Sequence, residues 1–137
     1  MYLAELVQPM KDDLTQVGFD QLTTPSEVDE TIKNTSDTLL VVVNSVCGCA
    51  ACNMRPGVKH SLTNGKKPSK LATVFAGVDG EATQQARKYF LPYPPSSPSI
   101  ALFKDGKLVH FLERHHIEGG TAEMIAANLA SAYDEFC

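Results

Sequence analysis

The chain lacks a basic stripe. Twelve Lys and Arg stand against sixteen Asp and Glu, a formal charge of −4, and the only lysine cluster, Lys66, Lys67 and Lys70, falls in a stretch that reads as a loop. A surface for nucleic acid or anionic lipid needs concentrated positive charge, so neither partner is expected. Long apolar runs are missing too: the longest, Leu39 to Val43, is far short of the roughly 20 residues that span a bilayer. The opening residues MYLAELVQPMKDD carry neither a basic leader with an apolar stretch nor a small-residue cleavage site, so no secretory signal is expected and the chain is placed in a reducing cytoplasm. Phosphate-cradling glycine motifs, paired catalytic carboxylates, internal repeats and low-complexity linkers are absent as well. Cysteine is scarce, four in 137 residues, but three of the four, Cys47, Cys49 and Cys52, crowd into one short stretch. At this length and 43% hydrophobic content, residues 1–137 read as one domain that buries a core without disulfides. The thiols are then free for chemistry.

Leu3, Leu6, Val7, Met10, Leu14 and Val17 recur at helical spacing and Gly18 stops the pattern, with Pro9 either kinking this helix or opening its regular part. Thr24, Pro25 and Glu27 form a capping box with proline at the first helical position, which starts a short helix with Val28 and Ile32 inward. Leu39 to Asn44 is apolar without alternation and suits a central strand covered on both faces. The cysteines follow it directly, at the start of a helix of about four turns that Pro56 bends. Leu71 to Ala76 reads as a second buried strand and Glu81 to Phe90 as a helix, closed by the proline-rich loop LPYPPSSPS. Ile100 to Lys104 and Leu108 to Leu112 flank Asp105-Gly106, a strong hairpin signal. Ile125, Leu129, Ala132, Tyr133 and Phe136 define a closing helix that starts near Thr121. The order βαβαββα behind a helical N-terminal extension is what a thioredoxin-like α/β fold requires, a central mixed sheet with helices on both faces. Such a fold puts the strand-to-helix turn at the carboxyl edge of the sheet, where open α/β sheets bind ligands.

Cys47 occupies that turn. Unpaired N–H groups and the helix dipole favour thiolate over thiol there, and thiolate is the nucleophile of disulfide exchange. Two helical cysteines two residues apart would point about 200° apart around the axis. A Cys47–Cys49 bond therefore needs Cys47 and Gly48 outside the helix, and glycine can take backbone angles closed to other residues. Such a small ring is strained and labile. Cys49 and Cys52 make a C-x-x-C pair on one helix face, which offers Cys52 as an auxiliary thiol or, alternatively, as a small buried hydrophobe. Cys137 reads as an exposed terminal thiol. Ahead of the Ile100 strand, Ser97-Pro98 is the best placed cis peptide, and the Ser97 backbone would then lie beside Cys47 where a substrate could pair with it. The alternative is a plain proline turn.

A rival reading is a metal module: C-x-C-x-x-C supplies three thiolates, with Cys137, His115 or His116 as a fourth ligand for zinc or an iron–sulfur cluster. Structural zinc sites usually come as paired knuckles and no second pair exists, so no metal is expected. His115 and His116 are read with Arg114 as a surface loop, and His60 and His110 as ordinary surface or packed histidines.

With VVVNSVCGCAA, the PSSPS loop, RHHIEG and the terminal cysteine in view, the chain resembles the bacilliredoxin family over nearly its whole length. The resemblance implies a thiol-disulfide oxidoreductase that removes bacillithiol from S-bacillithiolated proteins, as glutaredoxins do with glutathione, or a protein disulfide isomerase. It implies Cys47 as attacking thiol, Cys49 as resolving partner and Pro98 as the cis-proline facing them; Gly48 and Ser97, from their places in the turn and ahead of the strand, are read as substrate-binding neighbours. Partners would be client proteins and a small thiol, bacillithiol, as co-substrate, with no tightly bound cofactor. Cys52 departs from the glycine that the family pattern has at that place.

Overall fold

A computed structural model describes residues 4–137; the expected inward position of Leu3 lies outside the described residues. The first helix, α1 (Ala4–Thr15), buries Val7 and Leu14. It runs through Pro9 rather than starting there, and Leu6 and Val17, expected inward, are exposed. Gly18 ends it with a φ of 106°, a left-handed conformation suited to glycine. A two-residue strand, β1 (Asp20–Gln21), follows, too short to leave a periodic signal in the sequence. In α2 (Pro25–Asn34) the capping box is formed as the sequence indicates, with Thr24 accepting from the Glu27 N–H while Glu27 returns to the Thr24 N–H, and Val28 and Ile32 are buried.

Strand β2 (Thr38–Asn44) is buried at every position. It lies mid-sheet, parallel to β3 (Lys70–Phe75) and antiparallel to β4 (Ser99–Lys104), in a five-stranded sheet ordered β1-β3-β2-β4-β5, with β5 spanning Lys107–Leu112. Successive side chains of a strand point to opposite faces, and both faces of β2 are covered. Leu40 and Val42 join a core with Leu14, Met54, Val58, Leu129 and Tyr133. Leu39, Val41 and Val43 join another with Val28, Ile32, Ala82, Ala86 and Phe90. This explains the absence of alternation in LLVVV. Asp105 and Gly106 both take positive φ, 51° and 78°, the primed turn that matches strand twist in a hairpin. Lys70, expected in a loop, opens β3.

After β2 the expected four-turn helix divides. Gly48 and Cys49 enter it, Ala50–Met54 is a π-helical segment, and α3 (Arg55–Ser61) continues with Pro56 in its first turn. Pro56 has no N–H to give to the helix and follows directly on the wider π turn, in which the Arg55 N–H reaches back five residues to the Ala50 carbonyl, so the irregularity lies just before Pro56. Helix α4 (Gly80–Lys88) buries Ala82, Thr83 and Ala86. His115 and His116 are not in a loop: Arg114–Glu118 is a short helix, α5. Thr121 caps α6 (Ala122–Phe136). Gly57 is where α3 meets α6. A Cβ there would stand 2.9 Å from the Ala122 carbonyl and from Ile125, so only glycine permits this approach. Among the described residues no helix is long and apolar enough to cross a membrane.

Candidate functional site

The carboxyl end of β2 delivers Asn44, Ser45, Val46 and Cys47 to the edge of the sheet. Below them is an ion that sequence reasoning missed. Arg55, only 5% exposed, donates through Nη1 to Asn44 Oδ1 and to the Ser45 carbonyl, both at 3.0 Å, and pairs through Nε with Asp13 of α1 at 3.3 Å. Lys59 also holds Asp13, at 2.6 Å. Asn44 in turn accepts from the Ser45 N–H at 2.9 Å and donates to the Met10 carbonyl at 3.0 Å. A buried cation that satisfies two carbonyl-type oxygens and one carboxylate fixes the backbone that turns into Cys47. No motif marks this, and Arg55 with Lys59 four positions on reads as a solvated helix face.

Cys47 lies just ahead of the helix and is half-buried; Cys49 is half-buried within the first turn, and both are free thiols. Ser45 Oγ donates to Cys47 Sγ at 3.3 Å. Burial pushes the Cys47 thiol up, but the neighbouring Cys49 thiol, the Ser45 hydroxyl and the nearby Ala50 and Cys49 backbone N–H groups favour its ionised form, and together they hold it below the ordinary cysteine value; the Ala50 N–H itself bonds the Cys47 carbonyl at 3.0 Å. Cys49 is driven the other way, to about 11, by burial, by its hydrogen bond to Cys47 and by the charge there, against which Arg114 works. The two pKa values move apart as one proton is shared between two sulfurs. The site is thus asymmetric, with the more acidic thiol at 47 and the more basic one at 49.

Both thiols are free in this structure, and in this form Gly48 is helical and exposed, without a left-handed φ, and a Cβ on it would meet nothing within 4 Å; only Cys47 lies outside the helix. The departure of Gly48 from the helix belongs to the Cys47–Cys49 bonded form. Cys52 is exposed in the π-helical segment, not on an inward face, so its reading as a buried hydrophobe fails. Cys137 is exposed at the end of α6.

The peptide Ser97-Pro98 is cis, as is Leu91-Pro92, which the sequence did not single out. Ser97 and Cys47 line one cavity of about 190 Å3 together with Ser45, Val46, Ala76, Gly77 and Arg114. Arg114, assigned to a surface loop by sequence, therefore belongs to the site: its Nη1 donates to the Ser97 carbonyl at 3.2 Å and its Nε pairs with Glu118 at 3.2 Å. The Arg114 guanidinium is held above its usual range by Glu118 foremost, then by Cys49 and Cys47. Among the described residues the one group of three metal-type ligands within 4.8 Å of each other is Glu113, His115 and His116. The cysteines are not part of that group.

Comparison with known proteins agrees with this geometry. Residues 2–137 match the family model described as disulphide isomerase. A bacilliredoxin of Cytophaga hutchinsonii is 59% identical over 135 residues, 98% of this chain and 99% of the relative. The chain belongs to the bacilliredoxin family. A further bacilliredoxin, of Halalkalibacterium halodurans, is 50% identical over 136 residues, 99% of this chain and 94% of the relative. Among solved structures, oxidized mitochondrial thioredoxin 3 of Saccharomyces cerevisiae superposes with a TM-score of 0.61 at 18% identity, over 90% of this chain and 98% of that one. The thioredoxin-like fold expected from the element order is thereby established, and the bacilliredoxin membership makes this a thiol oxidoreductase.

Proposed function

We propose that this bacilliredoxin removes bacillithiol from S-bacillithiolated client proteins in the cytoplasm, with Cys47 as nucleophile and Cys49 as resolving thiol. The observation that carries the reading is the asymmetry of the pair: Cys47 stands just ahead of the helix with the Ser45 hydroxyl donating to its sulfur at 3.3 Å and is the more acidic thiol, while Cys49 is pushed up to about 11. The Cys47 thiolate attacks the bacillithiol sulfur in line with the client sulfur. The client–bacillithiol S–S bond breaks as the Cys47–bacillithiol bond forms, and the client leaves as thiolate and takes up a proton. Electrons balance without an external reductant at this step. Cys49 then loses its proton and attacks Cys47, releasing bacillithiol and leaving a Cys47–Cys49 disulfide; alternatively, a second small thiol attacks and frees Cys47 directly. An extended client segment is supported by the Ser97 backbone ahead of cis-Pro98, which shares the cavity with Cys47. The exposed Gly48 leaves the approach to both sulfurs free of a side chain.

The matched description as a disulphide isomerase favours a second reading, general reduction or isomerisation of protein disulfides. The two are separated by presenting the purified protein with a bacillithiolated client, a glutathionylated client and a scrambled protein disulfide. The first reading expects the bacillithiolated client to be turned over fastest; equal or faster turnover of the scrambled protein would decide for isomerisation.

A further inference from the structure

We propose that Arg114 recognises a carboxylate on the small-thiol half of the mixed disulfide, so that this site selects anionic small thiols. The inference deepens the small-thiol transfer proposed above and rests on it. Among the residues that line the cavity beside Cys47, Arg114 alone carries a permanent charge. Its guanidinium is clamped on two sides, by the Ser97 carbonyl at Nη1 and by Glu118 at Nε, while Nη2 makes no hydrogen bond among the described residues. A guanidinium presents its donors in one rigid plane that matches a carboxylate. Because it is already held, little further freedom is lost when an anion docks.

The direction of transfer puts the ligand in reach. When Cys47 attacks the small-thiol sulfur, the client sulfur leaves with the electron pair of the old S–S bond, and the small thiol stays on Cys47, beside Arg114. A carboxylate a few bonds from that sulfur meets the free edge of the guanidinium. Arg114 is 44% exposed at its side chain and Glu118 51%, so the attraction is that of a partly screened pair, worth about a fivefold preference in rate rather than a thousandfold. Glu118 competes for the same cation, which moderates that preference.

The test uses one cysteinyl peptide carried in mixed disulfide with mercaptopropionate, mercaptoethanol or cysteamine, which are of similar size but anionic, neutral and cationic. Single-turnover rates of peptide release are measured for the wild type, Arg114→Met, Arg114→Lys and Glu118→Gln. Any change in Cys47 ionisation is common to the three substrates and cancels in their ratios. The anionic-to-cationic ratio is expected to fall by about fivefold in Arg114→Met, to be largely kept in Arg114→Lys and to widen in Glu118→Gln. A ratio identical in the wild type and Arg114→Met overturns the proposal. Failure of the wild type to react with any of the three while it releases the same peptide from bacillithiol overturns this inference alone; failure with bacillithiol as well removes the transfer reading itself.

Discussion

Ser45→Ala is the perturbation that isolates the electrostatics of Cys47. The hydroxyl donates to the sulfur at 3.3 Å and accepts a longer bond from the Cys47 N–H at 3.4 Å, while the backbone of Ser45 is held independently by Asn44 and Arg55, so the turn survives the substitution. A hydrogen bond to a charged acceptor contributes roughly 1.5–3 kcal/mol; sulfur accepts weakly and this one is half-buried, which brings the figure to about 1 kcal/mol. That energy stabilises thiolate but not thiol, so its loss moves the titration of Cys47 upward and leaves about fivefold less thiolate on the acid side of the midpoint. The remaining thiolate is more basic and, with a Brønsted coefficient of about 0.4–0.5, about twofold more nucleophilic. Alkylation of Cys47, followed across pH by peptide mass spectrometry, should therefore be roughly 2.5-fold slower than wild type under acidic conditions and about twofold faster on the alkaline plateau. The two profiles cross. Profiles that stay parallel, or a midpoint that does not move, would show that the serine plays no part in ionising the sulfur.

Cys49, driven to about 11, is expected to alkylate in a second phase only at strongly alkaline pH, and it should do so earlier once Cys47 is replaced by serine and its charge is gone. Arg55→Met leaves Asn44 Oδ1, the Ser45 carbonyl and Asp13 without their shared donor; a loss of about 3 kcal/mol in urea unfolding is expected, together with slower Cys47 alkylation. Gly57→Ala forces a Cβ against the Ala122 carbonyl and Ile125, and a cost of about 1–3 kcal/mol is expected, read as a lower unfolding midpoint at unchanged slope. Cys52→Ala, at an exposed position, should change stability by less than about 0.5 kcal/mol and leave the first transfer step at its wild-type rate; a slower first step would make Cys52 part of the nucleophilic machinery.

The features legible in the sequence were those with a short-range physical cause. The capping box at Thr24, the primed turn at Asp105-Gly106 and the doubly buried strand Leu39 to Asn44 each follow from a few neighbouring residues, and the structure forms each one. The order of these elements was enough to indicate the sheet. What escaped depends on distant partners. Strand β1 exists because residues 20 and 21 pair with Ala72 and Thr73, a pairing that two residues cannot advertise. Arg114 and Ser97 are seventeen positions apart and meet only once β5 has brought α5 back to the proline loop. Arg55 reads locally as a surface residue and becomes an interior cation only because Asp13 arrives from α1. The π-helical turn moved Cys52 out of its expected face, since helical spacing rules assume a uniform turn.

The account stands on the small thiol passing through the sulfur of residue 47. Its most direct test is to mix a bacillithiolated client with the Cys49→Ser protein, quench with acid and locate the added mass by peptide mapping. The account predicts bacillithiol on Cys47 in stoichiometric amount and a freed client thiol; bacillithiol found on another cysteine, or a client released just as fast by Cys47→Ser, would contradict it.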